Sequence, residues 1–584
     1  KFKIYILKVQ TKNKNMFRNL GKIKYRIKEN LTEIDSLSIN SGVNYLENFI
    51  IFKNQSGIKI YNRICDHNGG KLISNKGRTI CPMHNWEFIP EKGIYKNGHV
   101  KKRMDYVKKK NKLYIKNKNF EPQIRKINHN EEIKVNYINH ACLIFKTSKF
   151  KFATDPWTIG PAFNTGWWLK HKTIKNWKDE LNSCDFIYIS HNHPDHLHEL
   201  TLSNLKKDLP IVVPNFLSDS TKLLIEDLGF KNLTKLNFED QYQFKNTSLI
   251  LSILKSGDLR EDSGMYFSIG DFTSLLTVDA NNLNFLRLPK VVFLASNFAG
   301  GAHGYPLNCE NYSIKNRIKM TNIEKNFQKQ TKSKYLNIIN PKYFLPYAGF
   351  FKEKLKRDLI YIKHNKKNKV NDYTNICNKK NIDLLNVEKT RKFIFKNQRL
   401  IKQEIYKGKY FNDLNEKDYL KYFINKYKII DHKYIEEYFK NSNFHDGSTL
   451  YISLSNSNFT KNELNFKINF LDKINFRIIN NGKLKKELKK SKSFYYFKIR
   501  KEAFLNTIYN KKPWEDISIG FQMKQFRKPN VYNNKFWFHF SNNYVSKKYV
   551  KSITNCSSCD TIKQDLENFI YGTGNKASIR INKI

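Results

Sequence analysis

The chain has 584 residues, a formal net charge of +53 at pH 7, a hydrophobic fraction of 40% and 8 cysteines. That length allows three or four domains with proper cores. So few cysteines exclude a disulfide-stapled secreted scaffold and suit a reducing cytoplasm. No apolar run is long enough for a membrane span. The lysines are dispersed, with no nucleic-acid-binding signature beside them, so the charge reads as compositional bias or as attraction for an anionic partner rather than as a specific nucleic-acid surface.

The opening KFKIYILKV is too short and too soon charged for a signal peptide, and residues 1–15 are expected to be a dispensable extension. Residues 17–123 predict an all-β unit of short strands broken at Gly and Asn. Residues 124–350 alternate strand and helix patterns, as in CDFIYIS, IVVPNF and DSTKLLIEDLG, which predicts an αββα sandwich. Residues 351–400, rich in Lys and Asn, read as helix plus linker, and residues 401–584 as a mixed α/β region. Cys556 and Cys559 form a CxxC without a second pair nearby, a weak zinc signal.

The first unit contains CDHNGGKLISNKGRTICPMHNW, with Cys65, His67, Cys81 and His84 in a Cys-x-His and a Cys-x-x-His pair. Two thiolates suit one ferric iron and two neutral imidazoles the other, so the pattern predicts a [2Fe–2S] cluster of raised potential. The Cys-x-His spacing is unusual for zinc. It resembles the Rieske family of ferredoxins and oxygenase electron-input domains.

The second unit contains SHNHPDHLHE directly after the apolar DFIYI, giving His191, His193, Asp195, His196 and His198. So many polar side chains in one short loop need partners that a core does not supply. The motif resembles the metallo-β-lactamase superfamily, which holds one or two metals at strand ends. By that resemblance His191 and His193 serve one metal, Asp195 and His196 serve a second or tune the first, and His198 lies outside the ligand set. His140, Asp155 as an orienting carboxylate, and Asp279 as the bridging aspartate follow the same pattern. After His198 no further histidine precedes Asp279, and Asp258 and Asp262 stand there instead. Tyr347 stands where the last motif histidine is expected. Fewer imidazoles and more carboxylates favour non-haem iron over a dizinc hydrolase site. His303 is a further candidate to supply a ligand or a proton.

A one-electron carrier joined to such a site points to a monooxygenase. The combination, together with TDPWTIGPAFNTGWWL, YISHNHPDHL, TVDANN, SNFAGGAHGYP and PKYFLPYAGFF, resembles the CMP-N-acetylneuraminate hydroxylases, which carry a histidine near the position of Asp258. The resemblance implies hydroxylation of the N-acetyl group of a CMP-linked sialic acid to N-glycolyl. It also implies O2 as co-substrate, and electrons from a reductase through cytochrome b5 or a ferredoxin. Arg260, Arg527 and Lys528 are candidates to meet the anionic substrate, and Trp157, Trp167 and Trp168 to line its pocket or the core. An oxygenase acting on another amino-sugar nucleotide or small natural product, and a metal-dependent hydrolase, are the alternatives.

Overall fold

The computed structural model describes residues 16–67, 69–82, 86–127, 130–257 and 260–548. His84, Asp258, Cys556 and Cys559 lie outside the described residues. The N-terminal unit is all-β. Lys24–Asp35 pairs antiparallel along its whole length with Lys112–Gln123, and a three-stranded sheet, Gly42–Tyr45, Phe49–Asn54 and Gly57–Asn62, packs nearby. A small four-stranded sheet, Ile73–Asn75, Arg78–Ile80, Glu87–Ile89 and Ile94–Tyr95, carries the loops of Cys65 and Cys81.

The central unit is two eight-stranded sheets stacked face to face with helices outside. One sheet contains β1 (Ile133–Asn139), β2 (Lys151–Thr154) and β3 (Phe186–Tyr188); the other contains β4 (Ser263–Ile269) and β5 (Phe272–Leu276). Between them lies the main core, with Val135, Phe145, Phe152 and Phe186 facing Leu251, Phe267, Leu275 and Phe293. β4 and β5 are buried at every residue, as strands covered on both faces are. Trp177, Leu181, Leu202 and Ile225 of the outer helices cover Ile187 and Val213 on the other side of the first sheet.

A 26-residue helix, α1 (Ile314–Ile339), lies against the second sheet. Ser313 caps its first turn by accepting from the Asn316 amide, and Asn340 closes it in the left-handed conformation. Phe327 of α1 joins the core around Cys65, Cys81 and Trp86. Two turns on, the Tyr335 hydroxyl donates to the Ala280 carbonyl at 3.1 Å and accepts from the Leu283 amide at 2.8 Å.

The C-terminal region is a five-stranded sheet with helices, built around an aromatic core of Phe439, Phe466, Phe504, Trp514 and Phe540. It includes the short helix α2 (Glu515–Ile519).

Two segments pair outside the units the sequence pattern gave them. Phe17–Lys22 is an edge strand of the second central sheet, paired with Asp240–Phe244. Lys392–Lys396, in the stretch read as helix plus linker, pairs with β1, and Arg399–Glu404, which runs past the end of that stretch, extends the sheet. Lysines at the ends of KFIFK mask a buried Phe-Ile-Phe centre.

Candidate metal centre

Every donor of the central site sits just beyond the C-terminal end of a strand, where open α/β sheets collect ligands. His140 follows β1, Asp155 follows β2, His191 follows β3 and Asp279 follows β5. The chain turns there through the left-handed region at His140 (φ 43°), Asp155 (φ 38°), Val278 (φ 50°) and Ala348 (φ 49°). Each such non-glycine residue costs about 1–3 kcal/mol, and such strain persists where surrounding structure enforces it, most often at functional sites.

Two groups of donor atoms result, each within 4.8 Å: His140, Asp195 and His196, and His191, His193 and Asp279. Asp195 Oδ2 lies 3.1 Å from His140 Nε2 and 3.4 Å from His196 Nε2. Asp279 Oδ2 stands between the groups, 3.6 Å from His196 Nε2 and 3.9 Å from His191 Nε2. Asp155 accepts from the Ser190 amide at 2.7 Å and the Ser190 hydroxyl at 2.8 Å, and its Oδ2 is 3.1 Å from His196 Nδ1, so it orients that ring. Asp262 Oδ1 lies 3.5 Å from His191 Nδ1.

The donor set fits a metal. His196 Nε2 and Asp195 Oδ1 are buried without a hydrogen-bond partner, a cost that a cation in the cluster would remove. Burial would raise the Asp195 carboxyl, but His196 and His140 hold it well below the usual carboxylate range. Burial and the neighbouring His196 and His193 hold the His191 ring well below the ordinary imidazole value, which keeps it neutral as a ligand must be.

His198 does other work. Its Nδ1 caps a helix by accepting from the Thr201 amide, and its Nε2 lies 3.1 Å from the Pro161 carbonyl. Tyr347, fully buried after its strand, occupies the place where the sequence pattern leads to a histidine.

In the N-terminal unit, Cys65 and Cys81 are buried thiols, and no disulfide occurs among the described residues. Burial, with Cys81 beside it, pushes the Cys65 thiol well above its ordinary value, an arrangement relieved when an iron takes both sulfurs as thiolates. The loops are tight, with Gly69 N–H donating to the Cys65 carbonyl at 2.9 Å and Cys81 N–H to the Trp86 carbonyl at 2.8 Å. The His67 ring stacks on Trp86 at 4.6 Å and lies 5.0 Å from Tyr532 of the C-terminal region. Burial, with Arg260 and His303 nearby, lowers His67 to about 3, again a neutral imidazole. Gly69 (φ 68°) brings this loop onto the turn after Asp279, since a Cβ there would lie 3.2 Å from the Asn281 carbonyl and the Asn282 Cβ.

A single cavity has both sites on its wall, lined by His67 and by His193, Asp195 and Asp279. Arg260, His303 and Glu324 line it too, with Arg527, Tyr532 and Trp537 from the C-terminal region. His303 belongs to neither donor group, and burial lowers its ring to about 4. Of the tryptophans, Trp167 lines the cavity, stacked on Phe351 at 3.6 Å, whereas Trp157 and Trp168 are fully buried core residues. Lys528 is exposed and away from it.

One residue belongs to no ligand motif of the sequence. Glu515, at the start of α2, places Oε2 3.1 Å from His193 Nε2. Burial would lower the His193 ring, but the Glu515 hydrogen bond and charge carry it above its ordinary value.

The fold and the site together define an oxidoreductase-type enzyme in which a Rieske domain is joined to a metallo-β-lactamase-like domain. The Rieske [2Fe-2S] domain family matches residues 33–108 and the beta-lactamase superfamily domain residues 134–259. That architecture is shared with the cytidine monophosphate-N-acetylneuraminic acid hydroxylases. The chimpanzee (Pan troglodytes) protein is 26% identical over 561 residues, covering 87% of this chain and 92% of its own. The zebrafish (Danio rerio) protein is 28% identical over 554 residues, covering 87% and 92%. The crystal structure of CmlA, a diiron beta-hydroxylase from Streptomyces venezuelae, overlaps 47% of this chain and 55% of its own at TM-score 0.30 and 15% identity, too loosely to bear on function. No helix among the described residues is long and apolar enough to cross a membrane.

Proposed function

We propose that the protein is an iron-dependent monooxygenase that hydroxylates the N-acetyl group of a CMP-linked sialic acid to N-glycolyl, with electrons delivered through a Rieske cluster held by Cys65, His67, Cys81 and His84. The observation that carries this reading is the shared cavity, which puts His67 on the same wall system as His193, Asp195 and Asp279. A hydrolytic site has no use for a one-electron carrier at its edge, whereas oxygen activation needs one. Non-haem iron, when bound, supplies that activation at positions left open by the protein donors.

The residues of the chain then have separate tasks. His191, His193 and Asp279 form one set of ligands, His140, Asp195 and His196 the other. Arg260 and Arg527 present guanidinium groups to the phosphate and the sugar carboxylate of the substrate, which planar forks match well. His303, a neutral ring on the wall, is placed to exchange a hydrogen bond or proton with the bound sugar. Trp167 and Phe351 close one side and exclude water. The electrons come from a carrier of the cytochrome b5 or ferredoxin class with its reductase, and the cytoplasm is the compartment that keeps the buried cysteines as thiols.

The test is incubation of the iron-loaded protein with CMP-N-acetylneuraminate, a reductase chain and heavy-oxygen-labelled O2, followed by mass spectrometry. One labelled oxygen in the acyl group is the expected result. No product, with coupled turnover of a different amino-sugar nucleotide, moves the assignment to the related oxygenase. Zinc in the central site with no oxygen uptake moves it to a hydrolase.

A further inference from the structure

We propose that Glu515, supplied by the C-terminal region, is a positioning residue of the metal centre that fixes the ring of His193 so that its Nδ1 faces the metal. The inference rests on the reading of His193 as a metal ligand.

The two nitrogens of the His193 ring face different partners. Nδ1 lies 2.9 Å from His191 Nε2, inside the donor group with Asp279. Nε2 lies 3.1 Å from Glu515 Oε2. A metal-binding imidazole almost always donates its other N–H to a carboxylate or carbonyl, which fixes the tautomer and the ring orientation and raises ligand basicity. His196 follows the same rule within the central unit, its Nδ1 being 3.1 Å from Asp155, while His191 Nδ1 is 2.9 Å from the Ser190 hydroxyl. Glu515 gives His193 the kind of outer carboxylate that Asp155 gives His196, yet it comes from 322 residues further along the chain.

Glu515 is itself held in place. Its amide donates to the Ser541 hydroxyl at 3.1 Å. The Ser541 carbonyl in turn accepts from Asn192 Nδ2 at 2.9 Å, and Asn192 sits between the two histidines of the motif. The same region of the interface is in backbone contact elsewhere, because a Cβ on Gly166 would lie 2.1 Å from the Gly520 carbonyl oxygen. The C-terminal region is thus fastened to the central unit, at the histidine loop through Ser541 and at the Gly166 loop through Gly520, and a carboxylate so held offers a fixed acceptor rather than a mobile one.

The experiment uses the full-length protein with its Rieske cluster and iron(II) as the only added ligand. Chelator competition gives the affinity of the second site. Mössbauer spectra of iron-57-loaded protein report its electronic structure, with the cluster as internal control. Glu515→Ala should weaken iron(II) binding by about 10–100-fold, the usual effect of removing such an outer partner, with the Rieske signal unchanged. Glu515→Gln, whose amide oxygen still accepts from Nε2–H, should recover part of the affinity while shifting the quadrupole splitting of the non-cluster iron. Unchanged affinity and spectrum in Glu515→Ala would overturn the proposal. So would an equal loss in the Ala and Gln variants accompanied by loss of the Rieske signal, which would mark Glu515 as a general support of the fold. No substrate enters these measurements, so their outcome is independent of whether a CMP-sugar is turned over.

Discussion

The Cys65 loop and the His191 loop differ in how far the chain travels to complete them. In the first, Cys65, His67 and Cys81 lie close together in the chain, on tight turns of one small β unit. The second gathers His140, the histidine motif, Asp279 and Glu515 from the ends of three strands and from a separate region of the chain. A site closed by local turns depends on the conformation of a few residues. A site assembled at strand ends depends on every layer that sets those strands and on outer partners such as Asp155 and Glu515 that hold its rings.

The sharpest way to break this contrast is a crossed pair of variants. His193→Ala should abolish binding of the non-cluster iron and leave the Rieske electron paramagnetic resonance signal intact, while Cys65→Ser should do the reverse. Loss of both metals from either variant would show one cooperative unit instead of two independent plans. A smaller effect is expected from Asp155→Asn, which keeps the shape but weakens the acceptor beside His196. Iron(II) affinity in chelator competition should fall by about 10–100-fold, and an unchanged affinity would remove Asp155 from the supporting set.

The seam between the histidine loop and the C-terminal region should also carry a pH signature. Burial raises the Asp516 carboxyl to about 8, against the opposing influence of Lys512 and His193. The folded state then keeps a proton that the unfolded chain releases, so stability falls as pH rises from about 4 to about 8. Asp516→Asn should flatten that slope and stabilise the protein at pH 8 by on the order of 2 kcal/mol relative to wild type. Denaturant titrations at pH 5 and pH 8 measure it, and parallel pH profiles for the two proteins would refute it. The smallest change is Gly69→Ala, where a left-handed backbone and the nearby Asn281 carbonyl cost about 1 kcal/mol. Calorimetry should show a melting temperature lower by about 2–4 °C with both metals retained.

These contrasts explain what the sequence discloses. Cys65, His67 and Cys81 stand out as a group because the chemistry and the spacing lie in one string. The histidine motif is legible for the same reason, and His140, Asp155 and Asp279 become so only through their order along the strands. Glu515 is not, since an acidic residue in the first turn of a short helix is what the helix dipole favours anyway. Nor does composition separate a core tryptophan from a cavity one, so Trp157, Trp167 and Trp168 look alike until packing assigns them. Residues 392–396 read as linker because the lysines at the two ends of the strand hide its short apolar centre.

Helix α1 touches both sites, through Phe327 at the cysteine loops and through Tyr335 at the turn that follows Asp279. In the proposed oxygenase, an electron tunnelling from one site to the other would meet a gap whose width is set along a single continuous rod rather than across a hinge. Tunnelling rates decay exponentially with distance, so a rod that holds its length lets the transfer proceed at one rate through the thermal motion of the surrounding loops.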